Sequence, residues 1–509
     1  MSVNWHLSGV LQTADLKHGS RPFLILESHH ITYEQANEEM HRLAALLGAK
    51  GIRRGDRVMI VAQNAVQVVL LAFAVARLGA IFTIINNSVK SYSLRRIVAQ
   101  CEPALIVLDK TTSNLFDSVY EIDILQIEDV CDLSLHRISR DLEYRRQSDP
   151  AVTEFPGIDV DPVCLVYTSG STGAPRGVVI SHDNIRFSVA AIQERLKYRA
   201  QDVVGLFLPL SFDYGLYQVF LTANAGASIY IGSPSHVGPR LVSIMERHQI
   251  TVLPGVPTLF AALLKLLGRR PHALPRLRCM TNTGEHLSSA TIRQLVQYFP
   301  HLQFFPMYGL TECKRVSILL PDEMETRPDS VGRPLPGTEA YVVDEKGHRL
   351  PSDTVGELVV RGRHVTQGYW GAVDETNARF RPSVPGSPCE LWTGDLCRVD
   401  SDGFLYFIGR NDSMLKRNGH RISPLDIEQA ACSLDTVLEA RVVKIDDGAV
   451  LHLFVTVSDA MLTKEQLIHN LQDILEPFKM PDQVHIVTDM PQTGHGKVDR
   501  EQLKQLLMA

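Results

Sequence analysis

Between residues 166 and 177 the chain reads Val-Tyr-Thr-Ser-Gly-Ser-Thr-Gly-Ala-Pro-Arg-Gly. From Thr168 to Gly177, three glycines and four Ser/Thr hydroxyls fall in ten residues, directly after the apolar run 163–166. Glycine lets a backbone take positive φ and bring its amides close to a ligand. Successive N–H groups in such a turn form an anion-binding concavity, and Ser and Thr hydroxyls add donors. Thr168, Ser169, Gly170, Ser171, Thr172 and Gly173 are thus suited to cradle phosphate groups. Arg176 adds a permanent charge on a planar fork that matches them. The chemistry this implies is the holding of a polyphosphate. No G-x-x-x-x-G-K-[ST] pattern occurs in the segment, so it is not a Walker loop.

Four further motifs follow in order: Met307-Tyr308-Gly309-Leu310-Thr311-Glu312, Trp392-Thr393-Gly394-Asp395, Gly409-Arg410-Asn411-Asp412, and Gly494-His495-Gly496-Lys497. Together with the loop they make the chain resemble the AMP-forming adenylating enzymes: acyl-CoA synthetases, peptide-synthetase adenylation domains and luciferases. That family's loop usually carries Lys where this chain has Arg176, so the charge is kept with altered geometry. The resemblance implies that Tyr308 stacks on adenine, that Thr311 bonds the α-phosphate, and that Glu312 helps hold Mg²⁺. It also implies that Asp395 takes both ribose hydroxyls and that Arg410 contacts ribose or phosphate. Asp412 would be the hinge, and Lys497 would bridge the carboxylate and the α-phosphate during adenylation. Thr283-Gly284-Glu285 resembles the segment lining the adenine pocket. The physics is compatible: a flat ring suits a base, a hard oxygen suits Mg²⁺, and an acceptor-only carboxylate can receive two O–H donors.

By the same resemblance Phe212-Asp213-Tyr214 sits where amino-acid-activating relatives carry Phe-Asp, whose Asp binds the substrate amine. Arg315, three residues past Glu312, would also face the acyl pocket. Buried charges tend to be paired. Asp213 therefore either anchors a substrate amine or neutralises Arg315. Either way the expected pocket residues (Phe212, Asp213, Tyr214, Tyr217, Thr281, Thr283, Met307, Arg315) are polar enough to argue against a long unfunctionalised fatty chain. A small carboxylic acid that is polar or ring-bearing is expected. For the thiol, the run Lys416-Arg417-Asn418-Gly419-His420-Arg421 looks closer to acyl-CoA ligases, and Lys416, Arg417 and Arg421 would meet the phosphates of coenzyme A. After Lys497 only 12 residues remain, with no Asp-Ser phosphopantetheine site, so a carrier-protein acceptor would be a separate chain. The nearest likeness is to stand-alone acyl-CoA ligases of bacterial biosynthetic clusters.

The function implied is an ATP-dependent, Mg²⁺-dependent, AMP-forming ligase joining a polar acid, with amino acids among the candidates, to the thiol of coenzyme A. The alternative is loading of the phosphopantetheine of a separate carrier protein. A luciferase-like oxygenase shares the scaffold without any residue pointing to it. A non-catalytic nucleotide-binding module would be expected to lack Lys497, Glu312 or Asp395, and all three are present.

These residues need elements to hold them. Thr32 reads as the cap of a helix through Leu47, residues 58–61 as a strand, 68–78 as a buried helix and 81–85 as a second strand. The pattern recurs at 104–108 and 250–253. Strands alternating with helices predict a parallel α/β sheet. From Gly337 short strands separated by turn residues (340–343, 356–360, 403–407) predict a β-rich subdomain. Beyond residue 412 a helix at 426–432 and strands at 441–443 and 451–457 return to mixed α and β. The fold class is therefore α/β. A large N-terminal domain of parallel-sheet layers covers 1–411, its β-rich subdomain starting at about 337. A small mobile α+β C-terminal domain covers 412–509. The segment from about 110 to 155 shows no readable pattern.

Composition bounds the function classes. A length of 509 residues predicts at least two domains. With 51 basic against 57 acidic residues, a net charge of −6 offers no general nucleic-acid-binding surface. The eight cysteines show no C-x-x-C spacing and read as reduced thiols of a cytoplasmic protein, without a zinc site. Arg77 and Gly79 interrupt the most apolar stretch, 68–85, which argues against a membrane span.

Overall fold

A computed structural model describes residues 6–112, 122–131, 157–169, 175–233, 236–268, 274–382, 389–411, 415–417, 420–445, 450–458, 462–493 and 497–508. Most of the unpatterned 110–155 segment lies outside them. The chain forms two compact units. The first comprises Met1–Pro234, Thr311–Lys314 and Gly362–Arg381; the second comprises Ser235–Leu310, Arg315–Arg361 and Pro382–Ala509.

In the first unit a six-stranded sheet runs Asp123–Gln126, Leu105–Leu108, Arg57–Ala62, Ile81–Asn86, Pro162–Ser169, Pro175–Ser181. The first five strands are parallel and the last is antiparallel to its neighbour. The expected alternation is present. The helix Tyr33–Ala49 starts on a Thr32–Gln35 capping box, which satisfies two orphan N–H groups reciprocally. The helix Val66–Arg77 is buried along its whole length except at Gln67, so its apolar run from Val68 to Ala76 serves as core. Among the described residues no helix is long and apolar enough to cross a membrane. A second group of strands in this unit, Val203–Leu206, Ser228–Ile231 and Pro22–Ile25, is parallel and ends on the antiparallel His30–Thr32.

The first unit also carries the helix Asp213–Ala225, which begins directly after an extended Phe212. Its first turn rests on a carbonyl: a Cβ at Gly215 would lie 2.3 Å from the Pro209 oxygen. Only glycine lets the helix start there. The expected result for Gly215→Ala is a loss of about 1–3 kcal/mol from this forced overpacking, read by urea unfolding.

In the second unit Val252–Gly255, Cys279–Asn282 and Gln303–Tyr308 are parallel, followed by the antiparallel Ser317–Ile318 and Arg333–Pro334. The β-rich stretch from Gly337 holds Thr338–Val343, Val355–Gly362, Glu390–Val399 and Leu405–Arg410, consecutive neighbours in one sheet. Farther along, a three-stranded sheet (Val437–Ile445, Val450–Val457, Gln483–Ile486) is covered by the helices Pro424–Cys432 and Lys464–Gln472. Ile427, Ala431, Val442, Leu453, Leu467 and Leu471 share their core.

Candidate functional site

The glycine-rich loop joins two antiparallel strands. Thr168 faces Arg176 and Ser169 faces Pro175 across the Pro162–Ser169/Pro175–Ser181 ladder. Gly170, Ser171, Thr172 and Gly173, the expected phosphate cradle, lie outside the described residues, as does the side chain of Ser169. What the structure describes is the frame. A further extended segment adds to the second strand: Val179 N–H donates to the Gly368 carbonyl at 2.9 Å, and Trp370 N–H donates to the Gly177 carbonyl at 2.7 Å. This register sets Tyr369 opposite Val178 and under Arg176, whose guanidinium carbon lies 5.6 Å from the ring centroid.

Glu312 is buried in the same unit. The Tyr369 hydroxyl donates to its Oε1 at 2.7 Å, and Arg379 Nη1 donates to the same oxygen at 3.0 Å. Burial and the Glu312 charge push the Tyr369 phenol up to about 12, so it stays protonated and acts as the donor. Thr311 precedes Glu312, half-buried. Mg²⁺ is usually held by one or two carboxylates together with substrate phosphates. Glu312 fits that demand: it is a hard, acceptor-only ligand whose Oε2 takes no hydrogen bond or ion pair among the described residues. Among those residues no cluster of three or more His, Cys, Asp or Glu could hold a metal by itself.

Asp213, Tyr214 and Tyr217 are buried at the start of their helix. The cation beside Asp213 is Lys314, one residue before the arginine weighed from the sequence: Lys314 Nζ lies 3.0 Å from Asp213 Oδ2. Their side chains are 4% and 8% exposed. Lys314 has φ +59°, a left-handed backbone conformation that a lysine seldom adopts. Its ammonium also sits 4.4 Å from the Tyr217 ring centroid. Phe212 and Tyr214 meet edge to face at 6.2 Å.

In the second unit Arg315 Nη1 donates to Thr283 Oγ1 at 2.5 Å. Thr281 and Met307 are buried on neighbouring strands. Tyr308 ends its strand, and its hydroxyl donates to Asp395 Oδ2 at 2.5 Å across 87 residues of sequence. Asp395 stands opposite Arg410 in the ladder, whose Nε lies 3.5 Å from Asp395 Oδ1. The Tyr308 ring stacks on Phe407 at 5.7 Å. Thr393 fixes the turn: its hydroxyl donates to the Leu358 carbonyl and accepts from Asp395 N–H, while Gly394 takes φ +72°. Three residues named from separate motifs therefore meet: the ring, the carboxylate and Arg410.

Gly284 takes φ +90°. The Glu285 carboxylate after it is held by the buried Arg441 at 2.8 Å, and neighbouring carboxylates keep that guanidinium charged against its burial. Lys497 is half-buried, its carbonyl accepting from Thr493 N–H at 2.7 Å. Asp412 and Gly419 lie outside the described residues. So do the side chains of Lys416, Arg417 and Arg421, although the strands Leu415–Arg417 and His420–Ile422 that carry them pair with each other. The sequence reading did not pick out Lys314, Tyr369, Arg379 or Arg441. Only the Lys314-Arg315 pair left a local trace, two consecutive cations beside an acidic motif.

Residues 11–370 match the family model of the AMP-binding enzymes, and residues 426–497 match that of the AMP-binding enzyme C-terminal domain. Tyrocidine synthase 1 of Brevibacillus parabrevis is 26% identical over 95% of this chain, which spans 43% of that protein's length. "Probable CoA ligase CCL5" of Humulus lupulus is 27% identical over 96% of this chain and 90% of its own. Among solved structures, the complex of VinN with L-aspartate is 31% identical with a TM-score of 0.71, covering 79% of this chain and 98% of that one.

Proposed function

The chain belongs to the family of AMP-binding enzymes, and on that premise we propose that it joins a polar, amine-bearing carboxylic acid to a phosphopantetheine thiol by way of an acyl-adenylate. The observation that carries this reading is the bond from Tyr308 to Asp395. It brings a flat ring and an acceptor-only carboxylate together, as gripping a base and its ribose requires. The glycine-rich stretch from Thr168 to Gly173 holds the triphosphate, with Arg176 supplying charge. The acid's carboxylate attacks the α-phosphate of ATP, and pyrophosphate leaves. No side-chain nucleophile is needed, because the protein positions and neutralises two like-charged reactants. Mg²⁺, when bound at Glu312, supplies further neutralisation of the phosphates. Lys497 stabilises the charge that concentrates between carboxylate and phosphate. The C-terminal segment from residue 412 then turns about Asp412, withdraws Lys497 and admits the thiol.

The choice of acid rests on two supports. Asp213 spends only Oδ2 on Lys314 among the described residues, and a substrate ammonium suits the other oxygen. The VinN complex contains an amino acid, which also bears a second carboxylate. The thiol is that of coenzyme A in our reading, on the strength of the basic run 416–421. The likeness to tyrocidine synthase 1 favours a carrier protein as the second reading.

The test is product analysis with ATP, an acid panel and hydroxylamine, followed by coenzyme A or a holo-carrier in place of hydroxylamine. AMP and pyrophosphate are the expected products, with an amino acid giving the largest hydroxamate yield. Release of ADP and phosphate would overturn the adenylation reading. A neutral fatty acid as best substrate would overturn the amine anchor alone.

A further inference from the structure

Among the described residues the Glu312 carboxylate is gripped on one side only. Both of its side-chain donors, the Tyr369 hydroxyl and Arg379 Nη1, converge on Oε1, and they lie 3.2 Å from one another. An arginine whose task is simply to neutralise a buried carboxylate does best as a fork, with parallel bonds to both oxygens. Here the contact is to a single oxygen, and a phenol shares it.

The support behind this grip is itself built. Thr366 N–H donates to the Glu312 carbonyl at 2.9 Å, so the same segment holds Glu312 by main chain and side chain. Tyr369 is fixed by its bridge to Val178 of the hairpin and by Phe380, whose ring meets it edge to face at 5.5 Å. Arg379 ends the short helix Val373–Arg379. Thr376 ties that helix to the tyrosine: its Oγ1 accepts from Tyr369 N–H at 3.0 Å and donates to the Ala372 carbonyl at 2.7 Å. A Cβ at Gly368, which has φ +104°, would lie 2.2 Å from Thr376 Cγ2, so the close approach of the two elements depends on that glycine.

Carboxylates that ligate metals are themselves hydrogen-bonded by outer partners that orient them and tune their basicity. We propose that Tyr369 and Arg379 are positioning residues for Glu312, pinning Oε1 so that Oε2 is the oxygen offered to the divalent cation that enters with ATP. The inference rests on the adenylation reading above and adds to it two residues that contribute through Glu312.

The test uses the full chain and Mn²⁺ as the probe. Mn²⁺ affinity in the presence of ATP is read by electron paramagnetic resonance, and ATP affinity in EDTA is read by calorimetry. Thermal unfolding without nucleotide serves as the control. Tyr369→Phe and Arg379→Gln are expected to weaken Mn²⁺ binding about 10-fold or more, as loss of an outer partner does elsewhere. Arg379→Lys should restore part of it, and ATP affinity in EDTA should hold. In pyrophosphate exchange the Mg²⁺ concentration for half-maximal rate should rise in parallel. Mn²⁺ affinity unchanged in Tyr369→Phe and Arg379→Lys, while Glu312→Gln abolishes it, would overturn the proposal. So would a loss confined to ATP affinity in EDTA, which would assign Arg379 to the phosphates directly. Should Arg379→Gln fail to fold, the other two variants carry the test. Failure of the wild-type chain to bind Mn²⁺ with ATP and to exchange pyrophosphate would instead strike at the adenylation reading.

Discussion

Replacing Lys497 with alanine is expected to lower carboxylate-dependent pyrophosphate exchange by roughly 10²–10³-fold or more, the range seen when a charge-stabilising donor is removed. Thioester formation from a supplied acyl-adenylate should be largely preserved. The two half-reactions separate because the proposed role of Lys497 belongs to the step in which negative charge gathers at the α-phosphate. Once the adenylate exists, that charge has left with pyrophosphate. The measurement is isotope exchange for the first half and thiol consumption for the second. Equal loss in both halves would mean that Lys497 supports the fold; undiminished exchange would remove it from catalysis.

The second large effect concerns stability. Asp213→Ala leaves Lys314 without its carboxylate in a place where its side chain is 4% exposed. Breaking a buried pair from one side typically costs about 3–5 kcal/mol, far more than the pair itself contributes, because an uncompensated charge remains. The Tyr217 ring, 4.4 Å from the ammonium, softens that loss without cancelling it. Removing both partners, as Asp213→Leu with Lys314→Met, should recover most of the stability and none of the activity toward amine-bearing acids. Denaturant unfolding of the two singles and the double gives the coupling directly. A single mutant within about 1 kcal/mol of wild type would show that the site is wetter than the geometry implies.

How much of this could be read from the chain alone depended on distance along it. The helix at Tyr33–Ala49 announces itself by Thr32 and Gln35, a cap written in neighbouring residues. The strands at Arg57–Ala62 and Ile81–Asn86 follow from apolar, β-branched runs bounded by turns. The α/β class follows from that alternation. Local motifs also point at Tyr308, Glu312 and Asp395, since each carries its turn residues with it. What they touch is another matter. Glu312 meets Tyr369 and Arg379 at separations of 57 and 67 residues, and Glu285 meets Arg441 at 156. Periodicity cannot encode such pairs, which are consequences of sheet order and of a glycine at 368. For Asp213 the sequence reading named Arg315 as the neighbouring cation; the structure places Lys314 there instead, one residue earlier and at positive φ.

The bond from Tyr308 to Asp395 carries a consequence for how a nucleotide is chosen. The carboxylate accepts from a phenol on one oxygen and faces a guanidinium on the other. A ribose arriving there trades one set of donors for another, so its hydroxyls add little to tightness. Their influence lies in rejection: a sugar missing a hydroxyl would displace the phenol and leave a desolvated acceptor empty. On the proposed reading, 2′-deoxy-ATP is penalised more severely than ATP is rewarded.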